Sequence, residues 1–164
     1  MACNDLEMRQ FDIKAALLHG KLEETIYMKY GVCMKYGGPN MVCKLNKSSY
    51  DLKQAPRCWN ITFTTFLKKF GFRSSIANNS LYVTKINNCK VLLLLFVDDR
   101  LLIAKDKCIV NNIISEMRNG IKIVVTEPNK FAGMYIVRDR SKYELCIYQK
   151  DYIDSFIERF GMND

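Results

Sequence analysis

Histidine is almost missing from this chain: there is one, His19, in 164 residues. Zinc sites draw on several closely spaced Cys or His ligands, and no such group is present. A Ser-His-Asp constellation has no good candidate either, because His19 follows directly on an apolar run. Paired cysteines are lacking too. The seven cysteines (3, 33, 43, 58, 89, 108 and 146) are odd in number and contain no C-x-x-C. Four lie in apolar stretches, which is the pattern of small buried hydrophobes in a reducing compartment. No G-x-x-x-x-G-K-[ST] appears, so a P-loop is excluded. The longest strongly apolar run, Val91–Val97, is too short to span a bilayer. Asn4, Asp5, Glu7 and Arg9 make the N-terminus unlike a secretory signal. A soluble, intracellular chain without a membrane partner is expected.

What is present is an ordinary globular composition with a basic excess. Apolar residues make up 49% of the chain, enough for a sizeable core, and the length suits one domain over 1–164. Lys and Arg outnumber Asp and Glu by 25 to 17, a formal charge of +8. Such an excess favours polyanionic partners, nucleic acid first.

Hydrophobic spacing predicts mixed strands and helices. Phe11–Leu18 reads as a strand entering a short helical turn closed by His19-Gly20, with short strands at Thr25–Tyr30 and Met41–Leu45 around a turn-rich loop, Gly31–Asn40. Trp59, Phe63, Phe66, Leu67 and Phe70 share a face of a helix over Ala55–Phe70, stopped by Gly71. Ser80–Ile86, Cys89–Val97 and Arg100–Ala104 read as strands, the last two forming a hairpin. A helix over Lys107–Met117 has Val110, Ile113, Ile114 and Met117 on one stripe. Strands follow at Ile121–Val125, Lys130–Val137 and Glu144–Tyr148, then an amphipathic helix carrying Ile153, Phe156, Ile157 and Phe160. The order argues for an α+β fold, a mainly antiparallel sheet with helices packed on one face.

One constellation draws the eye to chemistry. Asp98 and Asp99 lie side by side at the tip of an apolar hairpin. Asp is a common turn residue, and most such turns carry no chemistry. Two like charges in an apolar setting nonetheless repel unless solvent or a cation compensates them, and Mg²⁺ prefers such oxygen ligands. Asp12, inside the apolar strand Phe11-Asp12-Ile13, is a third carboxylate that needs a partner or a metal. If it faces the hairpin tip, a two-metal phosphoryl-transfer site becomes available.

Longer motifs carry a resemblance. Phe11–Gly20 (FDIKAALLHG) is similar to D-[VI]-K-T-A-F-L-x-G, and Glu24–Met28 (ETIYM) to E-E-I-Y-M. Val42–Trp59 (VCKLNKSSYDLKQAPRCW) closely follows V-C-K-L-x-K-S-L-Y-G-L-K-Q-[AS]-P-R-x-W. Phe96-Val97-Asp98-Asp99 stands for Y-V-D-D, Phe131–Ile136 (FAGMYI) for F-L-G-M-x-I, and Tyr148-Gln149 with Tyr152 for a closing L-x-Q-x-x-Y. In this order, and across nearly the whole chain, they resemble the palm region of the reverse transcriptase of copia-type (Ty1/copia) LTR retrotransposons.

The resemblance implies an RNA-directed DNA polymerase with a polymerase palm-like fold. Asp12, Asp98 and Asp99 would be catalytic and would hold two Mg²⁺ ions, or Mn²⁺ in their place. Leu17, Lys53, Gln54 and Arg57 would lie near incoming nucleotide and template, and Phe131 and Gly133 would belong to a primer-positioning hairpin. Pro56 and its flanking cations also suit a plain helix start, and Trp59 reads as core. Partners would be an RNA/DNA template-primer, deoxynucleotides and other parts of a polyprotein, in the cytoplasm.

Departures from the pattern set a second expectation. Leu17 stands where the family has an aromatic residue that excludes ribonucleotides, and Asp51 where it has glycine. Ala132 stands in place of leucine, a loss of buried volume. Arg100 follows the Asp pair directly, a cation able to pair with it and compete with Mg²⁺. Fingers, integrase and RNase H regions are expected to be absent. The alternative is therefore an inactive or repurposed retroelement fragment that binds nucleic acid through its basic surface.

Overall fold

A computed structural model describes residues 4–29, 41–50, 52–96 and 99–162. The expected loop Gly31–Asn40, together with Asp51, Val97 and Asp98, lies outside them. The chain divides into two compact units, Ala15–Phe70 and the remainder, Met1–Lys14 with Gly71–Asp164.

The larger unit is built on a six-stranded sheet. Its strands are β1 (Glu7–Ile13), β4 (Arg73–Ser74), β5 (Leu81–Ile86), β6 (Cys89–Phe96), β7 (Asp99–Ala104) and β8 (Ile123–Thr126), and they lie in the order β4-β5-β6-β7-β1-β8. Every pairing is antiparallel. The β6–β7 hairpin forms as expected, with Phe96 opposite Asp99. β1, first in the chain, inserts between β7 and β8. Both neighbours run antiparallel to it and so parallel to each other, which makes helix α2 (Lys107–Gly120) a crossover. Asp106 caps α2, its carboxylate accepting from the Cys108 N–H at 2.7 Å. Ile109, Val110, Ile113, Ile114 and Met117 are its buried stripe, and the helix contacts β7 and β1.

The expected strand Lys130–Val137 is in fact two. β9 (Lys130–Phe131) and β10 (Met134–Asp139) pair with Met134 opposite Phe131, and β11 (Glu144–Tyr148) completes a second, three-stranded sheet. Ala132 (φ 51°) and Gly133 (φ 78°) form the turn. Positive φ at both central residues matches the twist of a two-residue hairpin, and only glycine adopts it without strain. This sheet supplies Phe131 to a cluster with Met8, Leu101 and Ile103, edged by Leu92, Leu94, Ile136 and Leu145. From Arg100 to Ala104, β7 is consequently buried at every position. Hydrophobic spacing predicts helices packed on one face of the sheet; a second sheet also packs against this strand.

Helix α3 (Lys150–Arg159) ends the chain's regular structure. It has an apolar stripe, as expected, but no buried residue: Ile153, Phe156 and Phe160 are exposed. Polar contacts hold it to the second sheet. Asp151 accepts from Lys130 Nζ at 2.5 Å and from the Tyr135 hydroxyl at 2.8 Å.

The smaller unit holds a 3₁₀ turn (Ala16–His19), the antiparallel pair β2 (Tyr27–Lys29) and β3 (Val42–Lys44), and helix α1 (Ala55–Lys68). Ala55, Trp59, Phe63 and Leu67 are its buried face, so Trp59 is core as expected. The Trp59 ring stacks on Phe63 at 5.3 Å between centroids and meets His19 at 6.1 Å. Gly20 ends the 3₁₀ turn against α1, where a Cβ would stand 2.9 Å from Cys58 Cβ and 3.0 Å from the Trp59 nitrogen. Only a residue without a side chain allows that approach. No helix among the described residues is long and apolar enough to cross a membrane.

Candidate active site

The β1–β7 register decides where the carboxylates go. Glu7 pairs with Ala104 and the ladder runs to Phe11 opposite Arg100. Asp12 and Asp99 are the next residues along the two strands, so they meet at one end of the ladder. β6 ends at the same place, with the exposed Phe96 opposite Asp99 in the strand register. The hairpin alone brings Asp99 there. Asp12 arrives only because β1, from the far end of the sequence, is the neighbour of β7.

Both described carboxylates, Asp12 and Asp99, are engaged by the chain itself. Asp99 Oδ1 accepts from Gln10 Nε2 at 3.2 Å, and Oδ2 accepts from the Ala132 N–H at 3.0 Å. The turn of the β9–β10 hairpin thus bonds directly to an acid of the candidate site. Asp12 is 63% exposed; its Oδ1 accepts from the Ile13 N–H at 2.8 Å and is 3.5 Å from Arg100 Nη1. Arg100 is only 2% exposed. Sequence adjacency suggested that this cation would pair with Asp98 and Asp99, whereas the described ion pair is across the strands, to Asp12.

Among the described residues no three His, Cys, Asp or Glu side chains gather as a metal-holding group; Asp98 lies outside them. Asp12 and Asp99 contribute hard carboxylate oxygens, the donor chemistry that suits Mg²⁺ or Mn²⁺. Gln10 was not singled out from sequence, and Ala132 only as a loss of buried volume, not as a partner of the acids. Gln10 was findable in principle, since a residue two before Asp12 in a strand shares its face. The Ala132 contact is made by a backbone N–H and leaves no side-chain signal.

Of the other expected site residues, Phe131 is buried in the cluster between the two sheets and Gly133 is exposed at the hairpin turn. Within the smaller unit, Leu17 lies half-buried in the 3₁₀ turn, after Ala15 with φ 54°. Gln54 is the N-cap residue of α1 and Pro56 sits in its first turn, with Lys53 and Arg57 both exposed. No acid occupies that turn. The positive end of the α1 dipole and two exposed cations beside it make a local setting favourable to anions.

Residues 1–164 match the profile of the family described as "Reverse transcriptase (RNA-dependent DNA polymerase)", and the chain belongs to that family. It is 39% identical over 163 residues to the "Retrovirus-related Pol polyprotein from transposon TNT 1-94" of Nicotiana tabacum, covering 98% of this chain and 12% of that protein. Identity to the Pol polyproteins from transposons RE1 and RE2 of Arabidopsis thaliana is 33% and 35%, each over 94% of this chain and 11% of the relative. The chain thus corresponds to the reverse transcriptase domain of copia-type retrotransposon Pol polyproteins and spans a small part of their length. No solved structure matches it.

Proposed function

We propose that residues 1–164 act as one palm-like domain of an RNA-directed DNA polymerase, with Asp12, Asp98 and Asp99 as its catalytic and metal-holding residues. The observation that supports this best is the register that brings Asp12 and Asp99 to the same end of neighbouring strands, with Asp98 next in the chain. When bound, two Mg²⁺ ions would supply the charge that steadies the attacking and leaving oxygens of nucleotidyl transfer. The chain's own task is to aim oxygens at that point. Gln10 and the Ala132 N–H, one on each oxygen, fix the orientation of the Asp99 carboxylate. Phe131 and Gly133 belong to the hairpin that positions the primer end, anchored through the same Ala132 bond. Leu17, Lys53, Gln54 and Arg57 serve nucleotide and template, the cations at the start of α1 suiting phosphate. The partners are a template-primer, deoxynucleotides and other parts of a polyprotein, in the cytoplasm and without a membrane partner.

The test is primer extension on an RNA template with Mg²⁺. Extension by the chain that disappears in Asp98→Ala and Asp99→Asn supports the reading, and equal extension in both refutes it. The Arg100–Asp12 ion pair favours a second reading, a chain that folds and binds nucleic acid through its basic surface without polymerising. That reading expects no extension, together with nucleic-acid affinity that falls steeply as salt rises. A flat salt response would remove it.

A further inference from the structure

Asp12 of the candidate site meets a cation supplied by the protein itself. Arg100 is buried on β7 opposite Phe11, yet its Nη1 lies 3.5 Å from Oδ1 of the largely exposed Asp12. A guanidinium with almost no access to water needs a counter-charge, because an uncompensated buried charge is costly. The carboxylate it meets also accepts from the Ile13 N–H at Oδ1 and is otherwise largely exposed to a cation from solvent. Asp99, beside it on the neighbouring strand, has both oxygens in hydrogen bonds to Gln10 and Ala132.

We infer that Arg100 is a built-in counter-ion of Asp12, a positioning residue that holds this carboxylate when no divalent cation is present and lowers the chain's affinity for one. The inference rests on the reading of Asp12 and Asp99 as metal-holding residues and deepens it. A divalent cation arriving at Asp12 meets a positive charge already in place, so the attraction between cation and acid is partly spent. The guanidinium is carried on a central strand covered on both sides, so it cannot swing far into solvent as a surface lysine would.

The test is Mn²⁺ binding by the 164-residue chain, measured as loss of the free-ion electron-spin-resonance signal, with the rise in melting temperature on adding Mn²⁺ as a second readout. Arg100→Met replaces the guanidinium with a shorter, unbranched apolar side chain suited to a buried strand and removes the charge. It is expected to tighten Mn²⁺ binding roughly three- to tenfold, the scale of one partly exposed ion pair, and to enlarge the melting shift. Arg100→Lys keeps the charge and is expected to stay near the parent affinity. Unchanged affinity in Arg100→Met overturns the inference, as does equal tightening in both variants, which would make the effect steric. If Arg100→Met fails to fold by circular dichroism, Arg100→Gln takes its place with the same expectations. Asp12→Asn separates the two levels. If it abolishes binding while Arg100→Met changes nothing, only the role of Arg100 falls. If binding survives Asp12→Asn and Asp99→Asn together, or is absent from every form, the metal-site reading falls and this inference with it.

Discussion

Phe131→Ala tests how the second sheet and the candidate site depend on one another. Phe131 is 7% exposed and packs with Met8, Leu101 and Ile103. A buried aromatic side chain removes roughly 150–250 Å² from water, worth about 4–6 kcal/mol at about 25 cal/mol per Å². Residual burial in the unfolded chain and partial collapse around the cavity bring the expected loss to about 3–4 kcal/mol. Urea unfolding followed by circular dichroism reads the total. Amide hydrogen exchange then reads its distribution. Protection should fall first across β9–β11 and at the Ala132 N–H, which bonds Asp99 at 3.0 Å, while the β5–β6–β7 ladders stay protected longer. A loss below about 1 kcal/mol, or equal exposure of every strand, would refute the claim that this ring joins the two sheets and steadies the hairpin at Asp99.

Two further outcomes follow from named contacts. Gly20→Ala puts a Cβ 2.9 Å from Cys58 Cβ and 3.0 Å from the Trp59 nitrogen, and should cost about 1–3 kcal/mol of overpacking; the fluorescence of Trp59, the sole tryptophan, during unfolding reports it. The hold on α3 should depend on pH at both extremes. Hydrogen bonds from Lys130 and Tyr135 hold the Asp151 carboxyl below the usual carboxylate range, and the bonds to Asp151 raise both Lys130 and Tyr135 above theirs. A depressed acid contributes above its unfolded value and is lost as pH falls through the folded one; a raised base contributes below its unfolded value and is lost as pH rises through the folded one. Amide protection in α3 should therefore drop below the carboxylate range and again above the ordinary lysine and tyrosine range, and Asp151→Asn should flatten the acid limb.

The sequence by itself determined the local elements and the inventory of the site. The stripe Trp59, Phe63 and Leu67 and the stripe Val110, Ile113, Ile114 and Met117 are buried faces of α1 and α2, because helical periodicity is a property of neighbours in the chain. The β6–β7 hairpin was legible for the same reason, and the ordered motifs carried the family, which the match over residues 1–164 bears out. Tertiary structure alone decided which strands meet. The insertion of β1 between β7 and β8 joins residues about ninety or more positions apart, a pairing that no local pattern encodes, and it is what brings Asp12 beside Asp99. It also decided that Arg100 reaches across strands to Asp12, that α3 leaves its apolar stripe exposed, and that Lys130–Val137 breaks at Ala132-Gly133. Alanine carries no turn signal of its own. Its left-handed conformation comes from the hairpin it closes and is held by the bond from its N–H to Asp99. Periodicity reports which face of an element is apolar; which element lies opposite, and what charge it carries, is set by packing between distant segments.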